Sequence, residues 1–439
     1  MQIVMAVSGT RGDVQPAVVL GAELALRGHA VVMAVPPNLV SFARGAGLET
    51  VPFGYDTREH MNSDLVRHGV SQGSVADRAR AVARLWNFGW DQMVRELTDV
   101  MDSVRPDVLL TGITTEQIAL PLAQRFGAGL VAVHHAPVRS NSRYSPIPGA
   151  ESLPRVVTPL AWSVVDTALW AATCHRENVL RRGLGLGTVS TPLPRRMAEY
   201  GAIEIQAYDP AFCPDLQRDW AQTRPFAGFL DMPSALRATA DPGTVTAELE
   251  TWLAAGPPPV YVGFGSMPVK DPAAMVAAVR QACDRSGVRA LVSVGWNDAG
   301  GFSDDAGWTD DGGHLLVGGS LDHEAVFPRC RAVIHHGGAG STAAGIRAGK
   351  PTVVCSVASD QPFWGRRIVE QSCGATLPAS SVTADTMDRA LRVALSPDAQ
   401  EAARALSDAM IPPEVAAARA ADLVESATRR TEAQSGAST

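Results

Sequence analysis

The stretch AVIHHGGAGSTAAGIRAGKPTVVCSVASDQP, residues 332–362, carries the pattern that decides the fold. An apolar run at 332–334 gives way to a glycine-rich turn from His335 to Ser341. A helical pattern follows, closed by Gly349 and Pro351, and a second apolar run begins at once at 352–355. Strand, turn, helix and strand in so short a space make a parallel crossover unit. A helix that opens straight from a glycine-rich turn presents uncapped N–H groups and the positive end of its dipole, which suits a phosphate. The structural alternative is a tight turn whose glycines serve packing alone.

Outward from this unit the rhythm repeats. Apolar runs at 260–264, 290–294 and 314–317 precede it, each separated by helical or loop sequence. Nearer the N-terminus, runs at 3–7, 30–35, 108–110 and 130–134 alternate with helical patterns at 14–27, 39–46 and 116–126, and a long helical pattern covers 75–104. Two parallel sheets are therefore expected. Between Pro225 and Pro259 the texture changes to Pro, Ala, Gly and Asp, and Pro257, Pro258 and Pro259 forbid regular pairing. The expected organisation is a first domain at 1–230, a linker with the start of the second domain at 231–256, and the second domain at 257–405. The helical pattern at 397–426 exceeds what the second domain needs, so 406–427 is expected to return toward the first domain, with a disordered tail at 428–439.

Composition bounds the function. The chain has 439 residues, 46% apolar and 19% charged, as in a packed globular protein. A net charge of -7 gives no attraction for nucleic acid. Six cysteines without a Cys-x-x-Cys pair suit reduced core thiols and a cytoplasmic protein. The apolar run at 2–7 lacks a basic leader and is too short for a signal core. The apolar stretch 159–174 contains Asp166 and falls short of the roughly 20 residues a spanning helix needs. Its part at 159–170 reads as a core helix, with a pocket wall or a peripheral contact at the inner face of a membrane as alternatives.

Several polar residues stand where open α/β sheets bind ligands, at strand C-terminal ends. Asp360 and Gln361 follow the run at 352–355 and suit sugar hydroxyls. Asp13 lies between Gly12 and the first helical pattern, where it can accept a proton or cap a helix beginning at Val14. His135 is a candidate ligand contact, while His134 reads as a satisfied wall residue. Trp296 suits either a packed core or stacking on a base. Asp322 and Glu324 read as first-turn acids of a helix rather than metal ligands.

The segment HHGGAGS followed by ASDQP resembles the donor-binding signature of the family-one glycosyltransferases, in the branch of glycopeptide-antibiotic, macrolide, sterol and mycobacterial glycolipid enzymes. SGTRGDVQP at 8–16, PPPVYVGFGS at 257–266 and DHEAVFPR at 322–329 extend the resemblance, in order, over nearly the whole chain. It implies an α/β protein of GT-B fold, two doubly wound, Rossmann-like parallel-sheet domains facing a cleft. The first would bind the acceptor and the second a UDP- or TDP-linked sugar. The resemblance further implies that Asp13 is the catalytic base, and that Thr10, Arg11, Ser266, His336, Gly338, Gly340 and Ser341 hold the diphosphate. Asp360 and Gln361 would hold the sugar, Trp296, Ser320 and Leu321 the nucleoside, and His135 the acceptor.

No Asp-x-Asp occurs, so no metal and no cofactor beyond the nucleotide-sugar cosubstrate is expected. Transfer of a hexose or deoxyhexose would invert configuration. AVPPNL at 34–39 and EIQAYDP at 204–210 look most like mycobacterial enzymes that glycosylate lipopeptides, which points to a lipophilic hydroxyl acceptor. A sugar-nucleotide epimerase of the same fold and a non-catalytic nucleotide-sugar-binding protein are the alternatives. A nicotinamide oxidoreductase is not supported, because no Gly-x-Gly-x-x-Gly follows the first strand.

Overall fold

Apolar runs of four to six residues, too short for helices and buried on both faces, become the interior strands of two parallel sheets. The computed structural model describes residues 1–63, 88–147, 153–220, 223–240, 245–265, 267, 271–293, 295, 308–319 and 321–436. The chain divides into two compact units, Met1–Asp241 with Ile411–Thr439, and Pro242–Met410.

The first unit carries β1 (Gln2–Ala6), β2 (Ala30–Val35), β3 (Glu49–Pro52), β4 (Val108–Gly112), β5 (Gly129–His134) and β6 (Ile203–Gln206). They pair in parallel in the order β3-β2-β1-β4-β5-β6. Alternate side chains feed two cores, as the period of two requires. Ile3 and Met5 join Leu20, Met33 and Leu110 on one face, while Val4 and Ala6 join Leu97, Leu109 and Leu120 on the other.

The second unit carries β7 (Val260–Gly263), β8 (Ala290–Ser293), β9 (Thr309–Asp310), β10 (Leu315–Gly318), β11 (Ala332–His335), β12 (Thr352–Ser356) and β13 (Gly374–Pro378). Their order is β13-β12-β11-β7-β8-β10-β9, parallel throughout except for β9 against β10. Apart from the β9 edge, both sheets have the doubly wound order, with the direction of winding reversing between β1 and β4 and between β7 and β11. Ligands bind at such reversal points, beyond the strand C-termini.

The linker placed at 231–256 holds the division between the two units and is largely helical. Ser234–Ala240 packs Leu236 and Ala240 against the first unit's core, whereas Ala247–Ala254 buries Leu249, Trp252 and Leu253 in the second. The single C-terminal pattern at 397–426 is two helices, Pro397–Ala409 and Pro413–Gly436, because Pro412 and Pro413 cannot continue the first. The second of these packs Ala416, Ala420 and Val424 into the first unit's core. It also runs on through Gly436, so most of the tail expected as disordered is helical; Arg429, Arg430, Glu432, Ala433 and Gln434 favour this, against Thr428, Thr431, Ser435 and Gly436.

The helix Thr158–Gly183 is one-sided rather than a plain core helix. Trp162 and Trp170 are buried, but Leu160 and Val164 are 65% and 58% exposed. Of the pattern at 75–104, the structure describes Trp90–Val104 as helix, and the part at 75–87 lies outside the described residues. No helix among the described residues is long and apolar enough to cross a membrane. All six cysteines are unpaired, and five are buried.

Ala420 is wholly enclosed in the first unit's core. Ala420→Asp would bury an unpaired carboxylate there and should destabilise the first unit by about 3 kcal/mol or more. Denaturant melts of the full chain would check this, and an unchanged first transition would show that the C-terminal helix is not part of that core.

Candidate functional site

The glycine-rich turn quoted first stands at the reversal point of the second sheet. β11 ends at His335, paired with Gly263 of β7 on one side and Val354 of β12 on the other. His336, Gly337 and Gly338 turn the chain into the helix Ala339–Arg347. Gly337 has φ +94°, and a Cβ there would lie 2.5 Å from a Val354 methyl and 3.1 Å from the Gln361 carbonyl, so only glycine fits. Gly338 is the N-cap and offers no side-chain acceptor, which leaves the first-turn amides facing outward. Above Gly340, a Cβ would meet nothing within 4 Å, and Ser341 is half-buried in the same turn.

The His336 imidazole lies across this opening. Its Nε2 would be 2.6 Å from a Cβ on Gly338, and its Cε1 3.4 Å from one on Gly265, the residue after Phe264 in the loop beyond β7. Gly265 has φ +55°, and its carbonyl lies against Gly295. Nδ1 is enclosed without a partner among the described residues. Loss of solvent pushes the ring down to about 4, so His336 is neutral near pH 7 and offers one N–H rather than a full charge.

Asp360 and Gln361 sit beyond β12, at the start of the helix Gln361–Glu370. Asp360 accepts the Trp364 indole N–H at 2.9 Å. Burial raises its pKa, and the indole opposes the rise. Gln361 is 3% exposed; its Oε1 accepts the Val357 and Ala358 amides at 2.7 and 3.1 Å, and its Nε2 points at Met267 Sδ. The loop these bonds hold contains Ser359 at φ +60°, a left-handed conformation that a non-glycine residue adopts only when its surroundings impose it. Leu321 is half-buried against the second unit's core, and Asp322 caps the next helix by accepting the Glu324 amide at 2.9 Å. Ser266, Trp296 and Ser320 lie outside the described residues.

In the first unit Asp13 stands at the corresponding reversal point. The helix begins at Arg11, not at Val14, and the cap is Thr10, so Asp13 is the third helical residue of a capping box. Its Oδ2 accepts the Thr10 amide at 2.8 Å and the Thr10 hydroxyl at 3.3 Å. Gly9, at φ +145°, leaves room for this: a Cβ would sit 2.2 Å from Oδ2. The loop is tied to the turn after β4 by the Thr114 hydroxyl, which donates to the Ser8 carbonyl at 2.8 Å. Tyr55 hydrogen-bonds Ser8 and feels the Asp13 charge, and with burial as the main cause its pKa is raised. Arg11 turns outward, bonding Gln15 at 3.2 Å and lying 4.7 Å from the Phe42 ring centroid.

His135, following β5, is brought beside Asp13 and hydrogen-bonds its main chain. Burial, reinforced by His134, pushes its pKa down to about 4 despite that bond. His134 itself is enclosed, with Nε2 2.6 Å from Glu116 and Nδ1 3.3 Å from Gln206. Glu116, His134 and Glu204 place ligand atoms within 4.8 Å of one another, the one such group among the described residues. Arg139 already supplies the cation: it donates to Glu116 at 2.7 Å and also to Glu204, which takes a further bond from Arg224 at 2.8 Å. Burial disfavours the Glu116 carboxylate, yet Arg139 and His134 outweigh it and hold it at about 2.

Sequence reading missed Tyr55, Thr114, Trp364 and the Arg139 network. Trp364 could have been found, since it stands four residues after Asp360 on one helix.

Residues 3–85 match the glycosyltransferase family 28 N-terminal domain, and residues 318–425 the C-terminal domain of erythromycin biosynthesis protein CIII-like proteins. An uncharacterised glycosyltransferase of Mycobacterium tuberculosis is 39% identical over 98% of this chain and 100% of that protein. A sterol 3-beta-glucosyltransferase of Arabidopsis thaliana is 30% identical over 93% of this chain and 63% of its own. Among solved structures, the calicheamicin glycosyltransferase CalG4 superposes with a TM-score of 0.69 at 19% identity, covering 98% of both chains. The glycosyltransferase VinC, solved with dTDP, gives 0.65 at 16% identity, covering 98% of this chain and 100% of that one.

His135 and His336 are both held near 4, below the ordinary 6.5. As pH falls below 6.5 the unfolded chain takes up these protons first, so their contribution to stability is complete above 6.5 and is lost down to about 4. The melting temperature should therefore fall between about pH 6.5 and 4.5, and less steeply in His135→Gln and His336→Gln. A level profile shared by all three proteins would contradict neutral buried imidazoles.

Proposed function

The chain belongs to the glycosyltransferases of GT-B fold, and from that premise we propose that it moves a hexose or deoxyhexose from a UDP- or TDP-sugar to a hydroxyl of a lipophilic acceptor, inverting configuration. The observation that carries this reading is the open helix N-terminus at Gly338 with a neutral His336 laid across it, a cradle for a diphosphate. The dTDP bound to VinC supports a nucleotide-linked donor. The sterol glucosyltransferase relative supports a lipophilic hydroxyl, with a lipopeptide favoured by the phrases at 34–39 and 204–210.

In this mechanism Asp13 takes the acceptor's hydroxyl proton as the oxygen attacks the anomeric carbon. The bond from that carbon to the diphosphate breaks, and the departing charge falls on the amides of the helix Ala339–Arg347, the His336 N–H and the Ser341 hydroxyl. Gly338 and Gly340 let the phosphates approach, with Thr10, Arg11 and Ser266 completing the diphosphate contacts. A single displacement inverts the centre. Capping of Thr10 uses Oδ2 of Asp13, and the proton goes to the other oxygen, so the two roles do not compete.

Asp360 accepts from the donor sugar, and a sugar hydroxyl replaces Met267 sulfur, a weak acceptor, on Gln361 Nε2. Trp296, Ser320 and Leu321 hold the nucleoside, and His135 contacts the acceptor. No metal is needed, because oriented N–H groups meet the leaving charge. The enzyme works in the cytoplasm, touching the inner face of the membrane through the exposed apolar side of Thr158–Gly183, where a lipid-like acceptor resides.

Asp13→Asn keeps the side chain's size and an oxygen for the cap but removes the base. It should lower kcat by about 100-fold or more while UDP or TDP binds as before. Product mass against lipopeptide and sterol acceptors, with calorimetry for the nucleotide, makes the test. Full transfer in the variant would remove Asp13 as base, and epimerised donor in the absence of acceptor would replace the transferase reading with an epimerase.

A further inference from the structure

His335 is the one polar side chain of the turn to which the proposed reaction gives no role. It closes β11, is 0% exposed, and stands beside His336 with ring centroids 6.1 Å apart and planes at 78°. Its Nδ1 accepts the N–H of Gly337 at 2.8 Å. A ring nitrogen that accepts carries no proton, so the imidazole is neutral and its single proton is on Nε2. That N–H is buried and has no acceptor among the described residues.

A buried donor without a partner costs stability that an apolar side chain of similar shape would not. Filling space is therefore better served by leucine or phenylalanine. What the imidazole supplies instead is an acceptor for the amide two residues on, the bond by which asparagine forms an Asx turn. The amide it holds belongs to Gly337, whose φ of +94° sets the direction of everything after it. Burial and the neighbouring His336 and His323 keep the ring from protonating, which preserves the acceptor.

We propose that His335 is the positioning residue of the diphosphate turn: through Nδ1 it fixes the Gly337 peptide, and so aims His336 Nε2 and the first-turn amides of Ala339–Arg347 at one point. The inference rests on reading that turn as the diphosphate site. Without the bond, the Gly337 peptide is free to rotate against Val354 and the Gln361 main chain, and the His336 ring over Gly338 loses its footing. His335 touches no phosphate itself and acts through its neighbours.

Calorimetry with UDP, TDP and the parent nucleosides on the full chain, together with transfer kinetics, distinguishes this from simple packing. His335→Leu should weaken diphosphate binding by about tenfold or more, leave nucleoside binding unchanged, and raise the donor KM but not the acceptor KM. His335→Asn keeps an acceptor within reach of Gly337 and should restore most of the affinity. If the leucine variant does not fold, His335→Ala takes its place against asparagine. Binding like wild type in the leucine or alanine variant overturns the proposal, and so does equal weakening with and without the acceptor. His336→Ala separates the two levels: if it binds UDP and TDP as wild type does, the diphosphate site itself is misplaced, whatever His335 does.

Discussion

A helix that follows a parallel strand begins with amides that have no acceptor inside the helix, and both units place such a beginning at the point where their sheets reverse winding. The two units answer this constraint differently. In the first, Thr10 and Asp13 form a capping box, so the N-terminus is satisfied by the chain's own groups and a carboxylate is fixed at the sheet edge. In the second, Gly338 brings no side chain, and the helix start has no side-chain cap. One geometric problem thus yields an anchored acid in one unit and an uncapped helix start in the other.

Burial decides the electrostatics of both places. His336 and His135 lose their charge because the solvent that would stabilise it has been removed. The turn near His336 therefore carries oriented dipoles and a neutral N–H rather than a cation. In the first unit, by contrast, buried carboxylates are met by opposite charges: Arg139 lies between Glu116 and Glu204, with Arg224 completing the set and His134 hydrogen-bonded to Glu116. Removing one member of such a set leaves another buried and unpaired, so its strength is in holding β5, β6 and the helix Glu116–Phe126 in one arrangement.

Much of this was legible from residues alone. The strands of the interior, the turn from His335 to Ser341 and the helix after it follow from period, apolar runs and glycine placement. The strands β3, β6, β9 and β13 were not. β6 reads Ile-Glu-Ile-Gln, whose two polar residues argue against a buried strand until Arg139, Arg224 and Tyr208 are seen to satisfy them. β13 begins at a glycine, ends at a proline and is partly exposed. The one-sidedness of Thr158–Gly183 was hidden because a run of apolar residues does not say which of them has a neighbour.

The sequence by itself determined that the chain makes two doubly wound sheets and that His336, Asp360, Gln361 and Asp13 follow strand ends, because strand period, helix signals and glycine's freedom at positive φ are local properties. Tertiary structure alone decided what those residues touch. It set Asp13 into a capping box with Thr10, enclosed Gln361 against the 357–358 amides, gave Asp360 the Trp364 indole and gave the Gly337 amide to His335. It also returned the helix Pro413–Gly436 to the core of the first unit. Hydrogen-bond partners and burial depend on segments far apart in the chain, and no local pattern records which distant surface will complete a residue's surroundings.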